Sequence, residues 1–353
     1  MSESSSVLVV NRYPPLSSPY RYALDVTRAL EERGTLLNLV FSESGWSSEH
    51  RGTDVSVRNG WIWNLLRLSG RTIADPEQLK AFLSEREGNE MIVHYTNQFS
   101  GIITKIPGNR VVSVMDSPYD PTIRGTVMKL YFKNLYSTLS REKNIVTQTH
   151  CLAEDLRKFG FQGNIHVIPL AYSEVFRPLG ISKSLLRKKL ALPEDKKLLL
   201  SVSTDDPRKN LGMVSRTIKF LGDKYRLVRV GSELEGSFTF KEIDDESLNE
   251  LYNACDLLLF PSKYEGFGLP IVEAFAAGLP VVTSDFPTIK EVTGKSAVRV
   301  DPENINSILN GISNALDNGE ELGRSGIVRA SEFTFDKFRE KMLVLYDKIE
   351  LMN

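Results

Sequence analysis

Short runs of β-branched and leucine residues alternate with longer stretches in which apolar positions recur every three or four residues, along nearly the whole chain. Strands and helices in that order build parallel βαβ units. In the first half the expected strands are Val7–Val10, Leu36–Phe41, Met91–Tyr95, Arg110–Met115, Asn144–Thr149 and His166–Leu170, enough for one doubly wound sheet of five or six strands. A helix is expected over Tyr20–Arg33, with Gly34 as the left-handed residue that closes it.

After Pro169 the periodicity stops, and a stretch carrying Pro178 and Gly180 reads as an interdomain link. The pattern then restarts. Strands are expected at Lys197–Ser203, Arg226–Val230, Asp256–Phe260, Val281–Thr283 and Ala297–Val300, and helices at Asn210–Leu221, Glu246–Ala254 and Pro270–Ala277. Two such sheets in tandem imply a cleft between them. The chain ends in helix, where Phe338, Met342, Leu345 and Ile349 form one apolar stripe that must dock on something.

Composition narrows the class. The chain has 353 residues, Lys+Arg 44 against Asp+Glu 45, 25% charged and 41% hydrophobic residues. That is the balance of an ordinary globular protein of about two domains. No net basic charge points to nucleic acid. Two cysteines, Cys151 and Cys255, cannot by themselves make a zinc site and suggest a reduced, cytoplasmic setting. The first residues lack a basic leader, and no apolar run is long enough to span a bilayer.

The most informative segment runs from Phe260 to Thr283. A buried strand ends at Phe260, a loop with Gly266 and Gly268 follows, and Pro270 opens a helix where its missing N–H costs nothing. Gly278 closes that helix. Ligands of doubly wound sheets bind beyond the carboxyl ends of the strands, and a helix start there offers free N–H donors. An anion is therefore expected at Gly266, Phe267, Gly268 and Leu269. Glu265 and Glu273 flank the loop with seven residues between them, so one carboxylate faces its ligand while the other reaches a hydroxyl-rich part of it. The plainer alternative makes each a favourable partner of the helix dipole.

This segment resembles the donor-site motif of retaining glycosyltransferases of family 4, which have the two-domain GT-B fold. The resemblance continues through Gly278-Leu-Pro-Val-Val-Thr-Ser and Glu291-Val, and upstream through Pro207-Arg208-Lys209-Asn210 and Ile168-Pro169. It implies an α/β chain of two Rossmann-like doubly wound parallel-sheet domains facing a central cleft: residues 1–172 on the acceptor side and 173–333 on the nucleotide-sugar donor side. Residues 334–353 would form a helix crossing back to the first domain. By the same resemblance, Glu273 holds the donor ribose and Glu265 lies beside the transferred sugar. Residues 266–269 meet sugar and diphosphate, and Arg208 and Lys209 form the basic cluster at the diphosphate. The family often carries a further arginine near where Ser203 stands.

Breaking a sugar–diphosphate bond develops negative charge on the leaving phosphate, and Lys209 and Arg208 can stabilise it without a metal. In the first half the match frays. Tyr13–Pro19 replaces a glycine-rich loop, and at Val112-Ser-Val-Met115-Asp116 the family's histidine is replaced by Met115, leaving Asp116 as the polar candidate. His94 reads as a satisfied strand-end histidine rather than a base. Between Thr122 and Lys143 five cations face the single acid Glu142, interleaved with apolar residues. Such a segment either settles on an anionic membrane surface, which suits a lipid-linked acceptor, or is a domain-face helix with its apolar side in the core; the latter is favoured.

The expectation is thus a metal-independent, retaining hexosyltransferase. It would use a UDP- or GDP-linked sugar and a glycan, lipid-linked or small-molecule acceptor, with no added cofactor. The alternatives are a nucleotide-sugar epimerase and a catalytically silent nucleotide-sugar binding protein. Competing motifs fail: Thr293-Gly-Lys-Ser296 lacks the P-loop's first glycine because position 289 is Ile. There is no Asp-x-Asp, no His-Glu-x-x-His, no Gly-x-Ser-x-Gly and no Gly-x-Gly-x-x-Gly after the first strand.

Overall fold

The computed structural model describes residues 6–11, 18–41, 53–57, 91–99, 106 and 108–351. The chain divides into two compact units, Met1–Leu170 with Asp336–Asn353, and Ala171–Phe335.

Among the described residues the first unit has seven strands: β1 (Val7–Asn11), β2 (Gly34–Phe41), β3 (Thr53–Val57), β4 (Ile92–Tyr95), β5 (Asn109–Ser113), β6 (Asn144–Thr147) and β7 (Asn164–Val167). They lie in the order β3-β2-β1-β4-β5-β6-β7, all pairs parallel, so the order reverses between β1 and β4. Helices cover both faces, which is why β1 and β6 are buried at every position rather than alternating. On one face α2 (Thr126–Leu139) and α3 (His150–Phe159) bury Leu135, Tyr136, Leu139, Leu152 and Leu156 against Leu8, Val93, Val112 and Ile145.

The same unit holds α1 (Ser18–Leu30) and nearly all of the final helix, Phe335–Leu351. The terminal stripe docks as its spacing requires: Phe338, Met342, Leu345 and Ile349 are all buried. Phe338 meets Tyr22 edge-on, ring centroids 6.0 Å apart, and Arg33 pairs with Glu350. At the centre His94, fully buried, uses both ring nitrogens, Nδ1 with the Tyr346 hydroxyl at 2.5 Å and Nε2 with Ser113 Oγ at 2.7 Å. Ser113 in turn meets the Tyr22 hydroxyl at 2.9 Å. His94 is therefore a structural histidine that ties strand β4 to the terminal helix.

The second unit has six parallel strands, β8 (Lys197–Val202), β9 (Tyr225–Val230), β10 (Phe238–Phe240), β11 (Leu257–Phe260), β12 (Val281–Ser284) and β13 (Val298–Val300). Their order is β10-β9-β8-β11-β12-β13, so this sheet reverses between β8 and β11. One face is sealed by Leu211–Leu221 and Ile305–Asp317, whose Val214, Ile308, Ile312 and Ala315 pack on Leu199, Leu227, Leu257, Leu259 and Val282. The helices Asp245–Ala254 and Leu269–Ala276 bury Leu248, Leu251, Tyr252, Ile271, Val272 and Phe275.

Several expectations shift. Gly34 is not a left-handed helix end: its φ is −98° and it opens β2, while the left-handed residue is Glu31 at φ 51°. Glycine is required at 34 for a different reason. A Cβ would stand 2.9 Å from that of Leu30 and 3.0 Å from the Thr27 carbonyl oxygen, where the chain doubles back on its own helix. The last strand of the first sheet is Asn164–Val167 rather than His166–Leu170. Strands Thr53–Val57 and Phe238–Phe240 were not expected, since each is a short sheet edge without a long apolar run. Most of the Tyr13–Pro19 loop lies outside the described residues.

Burial pulls the His94 imidazole down to about 3, far below its ordinary value. Between about pH 6.5 and pH 3 the unfolded chain therefore binds a proton that the folded chain refuses, and stability falls as pH falls through that window. Thermal melts from pH 7 to pH 4 should show a steady loss, with a slope from this group of at most about 1.4 kcal/mol per pH unit. In His94→Gln that slope should diminish, on a fold already weakened at neutral pH.

Candidate functional site

In the second sheet the reversal sends the connection after β8 and the connection after β11 to opposite faces, leaving a crevice at the strands' carboxyl ends. Both connections carry charge. After β8, Pro207–Lys209 make one turn of 3-10 helix, started by Asp206, whose carboxylate accepts from the Arg208 N–H at 2.8 Å. The turn ends on Asn210, left-handed at φ 58°, whose amide donates to Pro261 O at 3.1 Å and Pro302 O at 2.8 Å. Those bonds fasten the basic turn to the loop after β11. A further main-chain bond runs from the Lys263 N–H to Arg208 O at 2.7 Å.

Across the crevice Lys209 Nζ lies 2.7 Å from Glu265 Oε1, both side chains mostly buried, with the ammonium 5.6 Å from the centre of the Phe260 ring. Arg208 pairs with Asp206 at 3.0 Å and its guanidinium sits 6.0 Å from the Tyr264 ring centre. Burial works against the Asp206 charge, but the Arg208 hydrogen bonds and the Arg208 and Lys209 charges outweigh it and hold the carboxyl below its usual range.

The loop then turns into the helix Leu269–Ala276 through Gly268 at φ +88°, a conformation that excludes most side chains. No side chain caps this helix, and Pro270 stands in its first turn. Among the described residues the main-chain N–H groups of Gly266, Gly268 and Leu269 have no acceptor, so the helix start presents donors and a partial positive charge beside Lys209. Phe267 turns inward and meets Phe333 edge-on at 5.5 Å.

Glu273 lies one turn on, only 3% exposed, and its Oε2 accepts from the Tyr252 hydroxyl at 2.9 Å. Each flanking glutamate thus has a partner inside the protein: Glu265 the ammonium of Lys209, Glu273 a phenol from the helix Asp245–Ala254. Arg208, Lys209, Glu265, Glu273 and residues 266–269 all belong to one end of one sheet.

Asp116 belongs to the other unit and is described by itself. Its Oδ2 accepts from Gln98 Nε2 at 3.0 Å, while Gln98 Oε1 accepts from the Met115 N–H at 3.0 Å and the Tyr136 hydroxyl donates to Asp116 O at 2.6 Å. It follows β5, and Gln98 follows β4, on the strand next to that unit's own reversal. Sequence reasoning did not single out Tyr252, Asp206 or Gln98, whose importance comes from what they touch. Among the described residues no group of three or more His, Cys, Asp or Glu side chains is placed to hold a metal ion.

Replacing Tyr252 by Phe removes a donor from a buried carboxylate while keeping the ring that packs on Phe176, centroids 5.7 Å apart. Urea unfolding should show a loss of about 1.5–3 kcal/mol, the usual range for a hydrogen bond to a charged group.

Residues 182–326 match the family model for glycosyl transferases group 1, a span that contains every site residue of the second unit. O-antigen chain mannosyltransferase RfbU of Salmonella typhimurium is 27% identical over 231 residues, 61% of this chain and 62% of that protein. O-antigen chain mannosyltransferase B of Escherichia coli is 35% identical over 107 residues, 30% of this chain and 28% of that protein. The chain thus spans less than two thirds of the length of these relatives. Among solved structures, sucrose-phosphate synthase of Thermosynechococcus elongatus superimposes with a TM-score of 0.80 at 17% identity, covering 99% of this chain and 100% of that one. WaaG, a glycosyltransferase of lipopolysaccharide biosynthesis, gives 0.73 at 17% identity, covering 98% and 99%. At such identities the likeness is one of fold, and that fold is GT-B: two doubly wound parallel-sheet units on one chain.

Proposed function

We propose that the protein is a glycosyltransferase that moves a hexose from a nucleotide-diphosphate sugar to a glycan or lipid-linked acceptor, without a metal and with retention of anomeric configuration. The observation that carries the reading is the Lys209–Glu265 pair beside an uncapped helix start, at the strand reversal of the second sheet. A diphosphate leaving group needs cations and N–H dipoles fixed before the bond breaks, since preorganised donors aimed at developing charge usually lower such a barrier more than any other single effect. Lys209 and Arg208 supply the cations, and the main chain of 266–269 supplies the dipoles. Glu265 holds Lys209 in place and stands beside the transferred sugar; Glu273, steadied by Tyr252, takes the ribose hydroxyls. Asp116 is assigned to the sugar and acceptor side. Retention rests on the family resemblance of the Glu265–Glu273 motif. Since RfbU and mannosyltransferase B are named for mannose transfer, the hexose proposed is mannose.

A lipid-linked acceptor accords with the surface of α2. Val127 is 81% exposed and Leu130 58%, with Met128 also outward, while the other side of the helix buries Leu135, Tyr136 and Leu139. Arg124, Lys129 and Lys133 have no ion pair among the described residues. The second half of the segment is core, and the exposed apolar and basic residues of its first half are what the lipid reading rests on. No described helix is long and apolar enough to cross a membrane.

The enzyme should release nucleoside diphosphate from a mannosyl nucleotide only when acceptor is added; release without acceptor, or product with inverted configuration by NMR, contradicts the proposal. Lys209→Ala and Glu265→Gln should each lower turnover about 100- to 1000-fold, with circular dichroism unchanged. Sedimentation with vesicles containing phosphatidylglycerol should carry the protein down at low salt, and Lys129→Glu with Lys133→Glu should abolish it. Equal sedimentation with neutral vesicles would remove the membrane from the proposal.

A further inference from the structure

Strand β9 carries a buried cation next to its carboxyl end. Arg229 is fully buried between β8 and β10, paired in register with Ser201 and Thr239. Its guanidinium reaches along the sheet to the strands' carboxyl ends. It donates to Ser201 O at 3.2 Å, Val230 O at 2.5 Å and Ser203 O at 2.5 Å. The fold is shaped around it: Gly231 has φ +132°, and a Cβ there would stand 2.6 Å from the guanidinium and 2.3 Å from Ser203 O.

What this cation lacks is a counter-charge of matching burial. Buried charges are ordinarily paired, because desolvation is costly otherwise. The nearest carboxylate is Asp205, 3.9 Å away with its side chain 66% exposed, and that group also accepts from the Ser232 hydroxyl. Arg229 Nε has no acceptor, and burial lowers the guanidinium's proton affinity while Asp205 only partly restores it. The carbonyls it engages matter too. A carbonyl oxygen carries partial negative charge, and those of Ser201, Ser203 and Val230 lie at or near the ends of β8 and β9. Arg229 occupies all three and adds a full positive charge. The β8 end that it grips leads directly through Asp205 and Asp206 to Arg208 and Lys209.

We infer that Arg229 is a positioning residue for the donor diphosphate, fixing the 203–209 loop and supplying a buried positive field that the ligand, rather than the protein, completes. The inference rests on the proposed nucleotide-sugar site and adds to it a group that touches no substrate. Strand β9 lies two strand spacings, about 10 Å, from β11 and one from β8, a range over which a buried charge is little screened by salt.

The test turns on the sign of two effects. Calorimetric titration at low salt measures binding of UDP, GDP and the matching monophosphates to the full chain. Asp205→Asn keeps an acceptor for Ser232 but removes the negative charge beside Arg229, so diphosphate should bind about two- to fivefold tighter. Arg229→Met should weaken it about tenfold or more and Arg229→Lys by less, with monophosphate affected less than diphosphate throughout. A merely structural role predicts equal losses for both ligands and no gain in Asp205→Asn. Should Arg229→Met not fold, Asp205→Asn alone decides: unchanged or weaker diphosphate binding overturns the inference. If the unmodified chain binds neither diphosphate, the nucleotide-sugar reading falls and this one with it; binding that Asp205→Asn leaves unaltered sinks only this one.

Discussion

A parallel sheet whose strand order reverses cannot close over its own reversal. The two connections leave for opposite faces, and the strand ends between them are left facing a gap. In the second unit that gap lies between β8 and β11, and Lys209–Glu265 is the charge pair that spans it. The Asn210 bond to Pro261 and the Lys263 N–H bond to Arg208 O hold the two loops at the separation this contact requires. Without it, an ammonium and a carboxylate would each be left mostly buried and unpaired, which costs more than the pair itself contributes.

Around the crevice each of the acids is held by a group of the protein. Asp206 is taken by Arg208, Glu265 by Lys209 and Glu273 by Tyr252. The uncapped start of Leu269–Ala276 and the buried Arg229 have no equivalent negative partner. On the proposed reading the open N–H groups of that helix start receive the diphosphate, and Glu265 keeps Lys209 in place for it.

The first unit solves a different problem. Its sheet needs helices on both faces, and one face is completed by a helix that arrives from the far end of the chain. The docking is fastened at its middle by His94, whose two nitrogens join a strand to Tyr346 and to the Tyr22–Ser113 pair. A polar cluster so deep is tolerable because each ring nitrogen has a partner. Gln98 does similar work at the strand ends, fixing both Asp116 and the main chain of Met115. Asp116 therefore lies on a braced loop.

The alternation of apolar runs and periodic segments was sufficient to determine two doubly wound units, most strand positions and the terminal stripe, because parallel strands buried on both faces leave an unbroken apolar signature. The glycine-rich turn before Pro270 was legible for a similar reason, since a left-handed residue and a first-turn proline are local demands. Gly34 misled because close approach to Leu30 and Thr27 leaves the same letter in the sequence as a left-handed helix end. The edge strands Thr53–Val57 and Phe238–Phe240 were hidden by their shortness. Partners were beyond reach altogether. That Glu265 meets Lys209, that Glu273 meets Tyr252, and that Arg229 lies buried against Ser201 and Ser203 depend on which strands become neighbours. Side-chain pairing of that kind is set by long-range packing, to which local periodicity is blind. The residue types at the strand ends were set by the sequence; which of their charges meet one another was decided by the packing of distant strands.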